Sequence, residues 1–418
     1  MTPQATTLGI DFGTSNSAAA TVKPDGQVWP IPLEGNSLSI PTALFFSSED
    51  ERILFGAEAL NAYLEGTPGR LMRSIKSLLG SPLMDEQTLI NGRMTSFFDL
   101  LVLFLKEIKS RAELHTGQVF TRVLLGRPVH FVDGDPPRDA QAQATLGRAA
   151  HDAGFAQVAF ELEPIAAAYD FERRIIADTT ALVVDVGGGT SDFTVMHLRP
   201  GQQPAARRNA DILATTGIHV GGTDFDRLLD LSVVMPLLGF RHTGPHGREV
   251  PSRLFFDLAT WHLIHRAYSR PSLHSARQLR DDFNDPLLYG RLMRVLEARL
   301  GHHILAQVEA AKIACSSHHV NARIDLTAVS PQLSSQLTVS AMADTLDGQV
   351  KQIVDCALAC VRESGLMHVP VVYLTGGSCA FTPLTDAMKA AFPKSELVQG
   401  DLFLGVASGL ACAGQVAT

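Results

Sequence analysis

Through the first fifty positions apolar residues come in short runs broken by Asp-Gly, Gly-Asn and Pro turn signals. This pattern predicts hairpin strands at 7–12, 17–23, 28–31 and 42–46. The period then lengthens. Apolar residues recur at spacings of three and four over 57–64 and, strongly, over 97–114, the mark of helices with one buried face. Strands at 122–126 and 158–161 then alternate with helices at 139–153 and 164–176, which is an α/β arrangement.

The cycle restarts at residue 181. Hairpin strands run to about 198, another strand reaches 215, and a helix begins after Gly221-Gly222. From 236 to about 317 the pattern predicts an inserted helical subdomain, with helices at 254–268 and 291–315 and polar loops at 241–249 and 269–274. Strands return at 322–326 and 336–339, followed by a helix at 342–363, a strand at 371–374 and helices at 382–392 and 402–413. The fold class expected is α/β, duplicated, with two lobes that each hold a mixed sheet flanked by helices. Lobe I would span 1–176, with an inserted subdomain at about 40–118, and be completed by a C-terminal helix at about 401–418. Lobe II would span 177–400 with the helical insertion at about 236–317.

Two strand ends break the apolar pattern in the same way. Leu8-Gly9-Ile10-Asp11-Phe12-Gly13-Thr14-Ser15-Asn16-Ser17 is matched 174 positions later by Leu182-Val183-Val184-Asp185-Val186-Gly187-Gly188-Gly189-Thr190-Ser191-Asp192. A phosphate chain needs backbone N–H donors at close range, and glycine lets the backbone turn without a Cβ in the way. An Asp before each turn can hold a metal against those phosphates. Ordinary hairpins use the same glycines, but an unpaired carboxylate in a buried strand is costly. The repeated element therefore points to two similar lobes around one Mg-nucleotide.

A chain of 418 residues suits two or more domains, and 45% hydrophobic with 19% charged residues is the composition of a soluble globular protein. The net charge of −8, with no basic stripe, argues against a general nucleic-acid or anionic-membrane surface. The longest apolar run, Leu100 to Leu105, is too short to cross a bilayer and the N-terminus lacks a signal pattern, so a cytoplasmic protein is expected, and separately a monomer. Cys315, Cys356, Cys360, Cys379 and Cys412 are scattered among apolar neighbours and read as reduced buried thiols. Cys356 and Cys360 have no second pair to make a zinc set, and the His pairs 262/265, 302/303 and 318/319 lack partners at ligand spacing.

The motifs IDFGTSNS, EPIAAAYDF from Glu163, VVDVGGGTSDF from Val183, GIHVGGTDFD from Gly217, VEAAKIACSS from Val308 and YLTGGSCAFTPL from Tyr373 together resemble the ATPase domain of DnaK-type heat-shock chaperones, within the actin, hexokinase and heat-shock ATPase superfamily. The helical insertion and early stop look most like the short YegD-type members. The resemblance implies an actin-like fold, binding of ATP or ADP with Mg2+, slow ATP hydrolysis and a protein partner or co-chaperone. Gly13, Thr14, Ser15 and Asn16, with Gly187, Gly188, Gly189 and Thr190, would cradle phosphates. Asp11 and Asp185 would hold magnesium through its waters. Lys76 would be the catalytic lysine, and Glu163 and Asp192 carboxylates facing metal and water, although an acid beside Pro164 is also a common helix-start residue and an Asp near a turn often stabilises it.

By the same resemblance Gly221, Gly222 and Asp224, with Gly376, Gly377, Ser378 and Asp401, would meet ribose and phosphates. Glu309, Lys312, Ile313 and Ser316 would face adenosine; polar residues at this helical spacing otherwise mark a wet face. The family's two adenosine arginines correspond here to Ile313 and Ala380, so a weaker base contact is expected. Eight residues follow Leu410, leaving no room for an interdomain linker or peptide-binding domain, so any chaperone role is expected to act through a partner. A small-molecule kinase would need a further base beside an acceptor pocket, and no such Asp motif stands out. A filament protein would need complementary end surfaces, which a sequence does not reveal.

Overall fold

The computed structural model describes residues 6–200, 210–245 and 247–416. Two sheets are built on one plan. In the first, strands Gln157–Leu162, Arg122–Arg127, Thr7–Phe12, Asn16–Val22 and Val28–Ile31 lie in that order, with Ser39–Pro41 also paired to Asn16–Val22. In the second the order is Glu396–Gln399, Val371–Thr375, Thr179–Val186, Ser191–Leu198 and Ile212–Ile218. Each has a central strand, Thr7–Phe12 or Thr179–Val186, that is antiparallel to the hairpin strand after it and parallel to a strand returning from a crossover. The duplicated α/β fold is therefore present, and the registers correspond: Asp11 lies opposite Ala18, as Asp185 lies opposite Asp192.

The chain divides into two compact units, residues 1–221 with 352–380 and 384–418, and residues 222–351 with 381–383. Both sheets belong to the first. Helices Phe97–Thr116 and Pro136–Asp152 bury Leu100, Leu101, Phe104, Leu105, Leu146 and Ala149 in a core with Leu8, Ile10 and Phe12. The first helix starts at a capping box between Ser96 and Asp99 and stops at left-handed Gly117. Helices Glu163–Glu172 and Gly405–Val416 pack together through Ala166, Ala167, Ala168, Val406 and Leu410, in a core shared with Val183, Met196 and Tyr373. Small residues make this approach possible. A Cβ on Gly409 would run into the Ala166 carbonyl, and one on Gly9 would lie 2.9 Å from the Ala407 oxygen.

Several elements differ from those predicted. Gly69–Arg73 is a strand, paired with Ala43–Ser47, which also pairs with Ile53–Phe55. Gln87–Ile90 and Arg93–Ser96 form a hairpin whose Asn91-Gly92 turn has positive φ at both residues, 46° and 78°, the geometry this dipeptide favours. Strand Glu396–Gln399 forms the edge of the second sheet.

In the second unit the expected helix at 254–268 is broken into Arg253–Leu258 and Ile264–Ala267, with Trp261 buried in the break. The expected loop at 269–274 lies instead in helix Arg270–Gln278: Ser269 caps the Ser272 N–H, and Pro271 sits in the first turn, where its missing N–H costs nothing. The expected helix at 291–315 is two helices, Pro286–Glu297 and Gly301–His318, separated at left-handed Arg299. A tertiary contact accompanies this break, because the Gly301 N–H donates to Tyr268 Oη at 2.7 Å. Among the described residues no helix is long and apolar enough to cross a membrane. None of the five cysteines is in a disulfide, and four are buried; Cys356 is only half-buried, which corrects the expectation for that thiol, and its Sγ lies 3.5 Å from Thr216 Oγ1.

Candidate functional site

In the first unit the two glycine turns face each other. A Cβ on Gly188 would press on the Ser15 hydroxyl, and one on Gly189 would lie 2.7 Å from Thr14 Oγ1. A Cβ on Gly221 would come 2.6 Å from the Gly188 carbonyl carbon, so a third glycine segment closes on the same turn. The turns thus pack closely, with the Thr14 and Ser15 side chains against Gly189 and Gly188 and the Gly221 backbone against Gly188.

Hydroxyls hold the turns in place. Thr42 donates from Oγ1 to the Gly13 carbonyl at 2.8 Å and from its N–H to the Ser15 carbonyl at 2.9 Å. Ser191 donates to the Val220 carbonyl at 2.7 Å, and Ser378 to the Gly187 carbonyl at 2.8 Å. Gly376 has φ +84°, and a Cβ there would meet the Val186 carbonyl oxygen at 2.5 Å, so this turn demands glycine. Thr42 had no signal in the sequence beyond its place in a strand.

Beside the turns lies an acidic group around one lysine. Lys76 sits on the one-turn helix Ile75–Leu78, after Ser74 in the left-handed region at φ 59°. Its Nζ donates to Glu163 Oε1 at 2.7 Å, and both side chains are more than nine-tenths buried. Glu163 opens helix Glu163–Glu172 ahead of Pro164, and its Cγ would be 3.1 Å from a Cβ on Gly126. Asp192 accepts the Val129 N–H at Oδ1, 2.6 Å.

Burial, then the Glu163 charge, raises Asp11 to about 7, with Lys76 pulling the other way. Asp192 is raised to about 7 by burial and Glu163, against the Val129 N–H. Asp185 is raised by burial, then by Glu163, Asp11 and Asp192. Burial opposes the Lys76 charge, but Glu163 and Asp11 outweigh it and its pKa is raised. Four carboxylates thus share one ammonium ion, an excess of hard oxygen donors that suits a hydrated divalent cation. Among the described residues no three His, Cys, Asp or Glu side chains converge closely enough to ligate a metal directly.

Asp401 is exposed, and its Oδ1 accepts the Phe403 and Leu404 N–H groups at 3.0 Å, which starts the turn into the last helix. In the second unit, Asp224 lies 3.7 Å from Arg227 near the start of helix Gly222–Val233. Helix Gly301–His318 carries Glu309, Lys312, Ile313 and Ser316. Lys312 Nζ donates to Asp226 Oδ1 at 2.6 Å and to the Gly222 carbonyl at 3.3 Å. Ser316 Oγ accepts the Thr382 N–H at 2.9 Å. Ile313 is 53% exposed. Asp226 was legible only as the last residue of the Gly-Gly-Thr-Asp-Phe-Asp run, with nothing local to say that it meets a lysine 86 residues on.

A family model described as Hsp70 protein matches residues 7–234, more than half of the chain. The chain is 34% identical over 227 residues to the chaperone protein DnaK of Thermosipho melanesiensis, covering 53% of this chain and 35% of that one. It is 33% identical over 226 residues to the chaperone protein DnaK of Thermotoga maritima, with the same coverage. The similarity thus spans about a third of the length of these curated relatives.

Proposed function

This chain belongs to the Hsp70 family, and from that premise we propose that it is a Mg-ATP-binding switch that hydrolyses ATP slowly and reports its nucleotide state to a protein partner. The observation that carries this reading is the pair of facing glycine turns beside four carboxylates and the buried Lys76. Backbone N–H groups around Gly13 to Ser15 and Gly187 to Thr190 would bind the phosphates. Asp11 and Asp185 would hold Mg2+ through water, since this ion keeps much of its hydration shell. The metal would supply neutralisation of phosphate charge. Lys76 would stabilise charge on the transferred phosphoryl group, and Glu163 and Asp192 would orient water. In the second unit, Glu309, Lys312 and Ser316 are assigned to the nucleoside, with Ile313 as an apolar contact. The relatives' name as chaperones supports a protein partner. A division into lobes at 1–176 and 177–400 is part of the same reading.

Calorimetric titration with ATP, with and without Mg2+, tests it together with single-turnover hydrolysis. Micromolar or tighter Mg-dependent binding and slow release of phosphate are expected. No heat of binding at millimolar Mg-ATP would overturn the proposal.

A further inference from the structure

The segment of the second unit that the nucleotide reading leaves unused contains a buried polar connection. Asp226 is 1% exposed and lies on the inner face of helix Gly222–Val233. It accepts two strong hydrogen bonds. One comes from Lys312 Nζ at 2.6 Å, the other from the indole Nε1 of Trp261 at 3.0 Å. Trp261 is 3% exposed and occupies the break between helices Arg253–Leu258 and Ile264–Ala267, inside the helical insertion.

A lysine side chain has four rotatable bonds and keeps one position only when something holds it. Here the holder is a carboxylate that is itself fixed by an indole N–H. Lys312 also donates to the Gly222 carbonyl, so two acceptors direct its ammonium group.

We propose that Asp226 is a positioning residue for Lys312, and that Trp261 ties this lysine to the helical insertion. The inference rests on the assignment of Lys312 to the ribose of a bound nucleotide. It goes beyond that assignment, because neither Asp226 nor Trp261 is expected to touch the ligand. An ammonium group held in one place donates to ribose hydroxyls with little entropy lost, and discrimination for those hydroxyls depends on the holder.

The test compares ATP with 2′,3′-dideoxy-ATP by calorimetry in five proteins: wild type, Lys312→Met, Asp226→Asn, Asp226→Glu and Trp261→Phe. The wild type should prefer ATP by about tenfold or more. Lys312→Met should lose that preference. Asp226→Asn should lose it equally while binding dideoxy-ATP as the wild type does, and Asp226→Glu should restore part of it. A merely structural role for Asp226 would weaken both nucleotides alike. Trp261→Phe removes the indole donor and should lower the preference in part.

If the wild type and Lys312→Met discriminate equally, Lys312 does not read the ribose and the nucleoside assignment falls, taking the inference with it. If Lys312→Met loses the preference and Asp226→Asn keeps it, the assignment stands and the positioning role is overturned. Should Asp226→Asn fail to fold, Trp261→Phe with unchanged preference would refute the tie to the insertion, Asp226→Glu with a preference between those of the wild type and Lys312→Met would support the positioning role, and Asp226→Glu with the full wild-type preference would overturn it.

Discussion

Lys76 and Glu163, 87 residues apart, meet through a 2.7 Å contact between Nζ and Oε1 at which both side chains are almost wholly buried. A buried pair of this kind gains little stability over an apolar pair, because both ions were stripped of water. Its position among Asp11, Asp185 and Asp192 suits a chemical task better. Removing the ammonium group in Lys76→Ala should slow single-turnover ATP hydrolysis by about a hundredfold or more, while ATP affinity changes little. Near wild-type turnover in this variant would remove Lys76 from the mechanism.

The acidic group predicts a particular pH dependence. Asp11 and Asp192 have folded-state values of about 7, well above the unfolded range. The folded protein therefore binds more protons than the unfolded chain between about pH 4 and 7, and stability falls as pH rises through that window. In EDTA, Asp192→Asn should gain in Tm over the wild type as pH is raised from 5.5 to 7.5, a range fixed by about the same window. Adding Mg2+ with ATP should shrink that gain. A difference between the two proteins that stays constant with pH would contradict the account.

Asp230, in the second unit, offers a further case. It is fully buried, and neither carboxylate oxygen has a hydrogen-bond partner. Burial, with Asp226 one turn away, raises its pKa well above the ordinary value. The sign is the same as above: the group costs stability once the pH exceeds its unfolded value, and the cost grows until the folded group ionises. Asp230→Asn should be more stable than wild type at pH 8 and gain less at pH 5, as measured by urea denaturation. A destabilised variant at pH 8 would show that the carboxyl is held by something of value.

Glycine at the facing turns is a steric requirement. In Gly221→Ala the new methyl would sit 2.6 Å from the Gly188 backbone, and backbone has little room to move. Overpacking of this kind typically costs about 1–3 kcal/mol, and the displaced turn should lose nucleotide affinity as well. Gly290, in helix Pro286–Glu297, would put its Cβ into open space, so Gly290→Ala is the control and should be neutral or slightly stabilising. Equal effects from the two changes would refute the crowding.

The exposed Ile313 stands where the resemblance implies an arginine. Ile313→Arg needs no core to rearrange, since the side chain is half in solvent already. A guanidinium on adenine contributes about 0.5–2 kcal/mol, so ATP should bind about twofold to thirtyfold tighter. No change in calorimetric affinity would place the base elsewhere.

Much of this molecule is written locally. The continuous apolar run Leu182-Val183-Val184, buried on both faces, and the period near 3.6 over 97–114 identify strand and helix, because which faces are buried is a property of neighbouring residues. The paired Asp-plus-glycine turns were legible because the chemistry of a phosphate cradle resides in a few consecutive backbone groups. The duplication followed from seeing that pattern twice. What sequence could not decide were contacts between distant segments. Helices run on in a pattern of apolar spacing until something outside them interrupts, as at Trp261 and at Gly301, whose N–H turns to Tyr268. The hairpin around Asn91-Gly92 was visible in principle, but its few mostly polar residues gave no strong alternation. Likewise the partners of Lys76 and Lys312, 87 and 86 residues away, are chosen by how the helices pack, since Coulomb attraction and desolvation depend on distance in space and not along the chain.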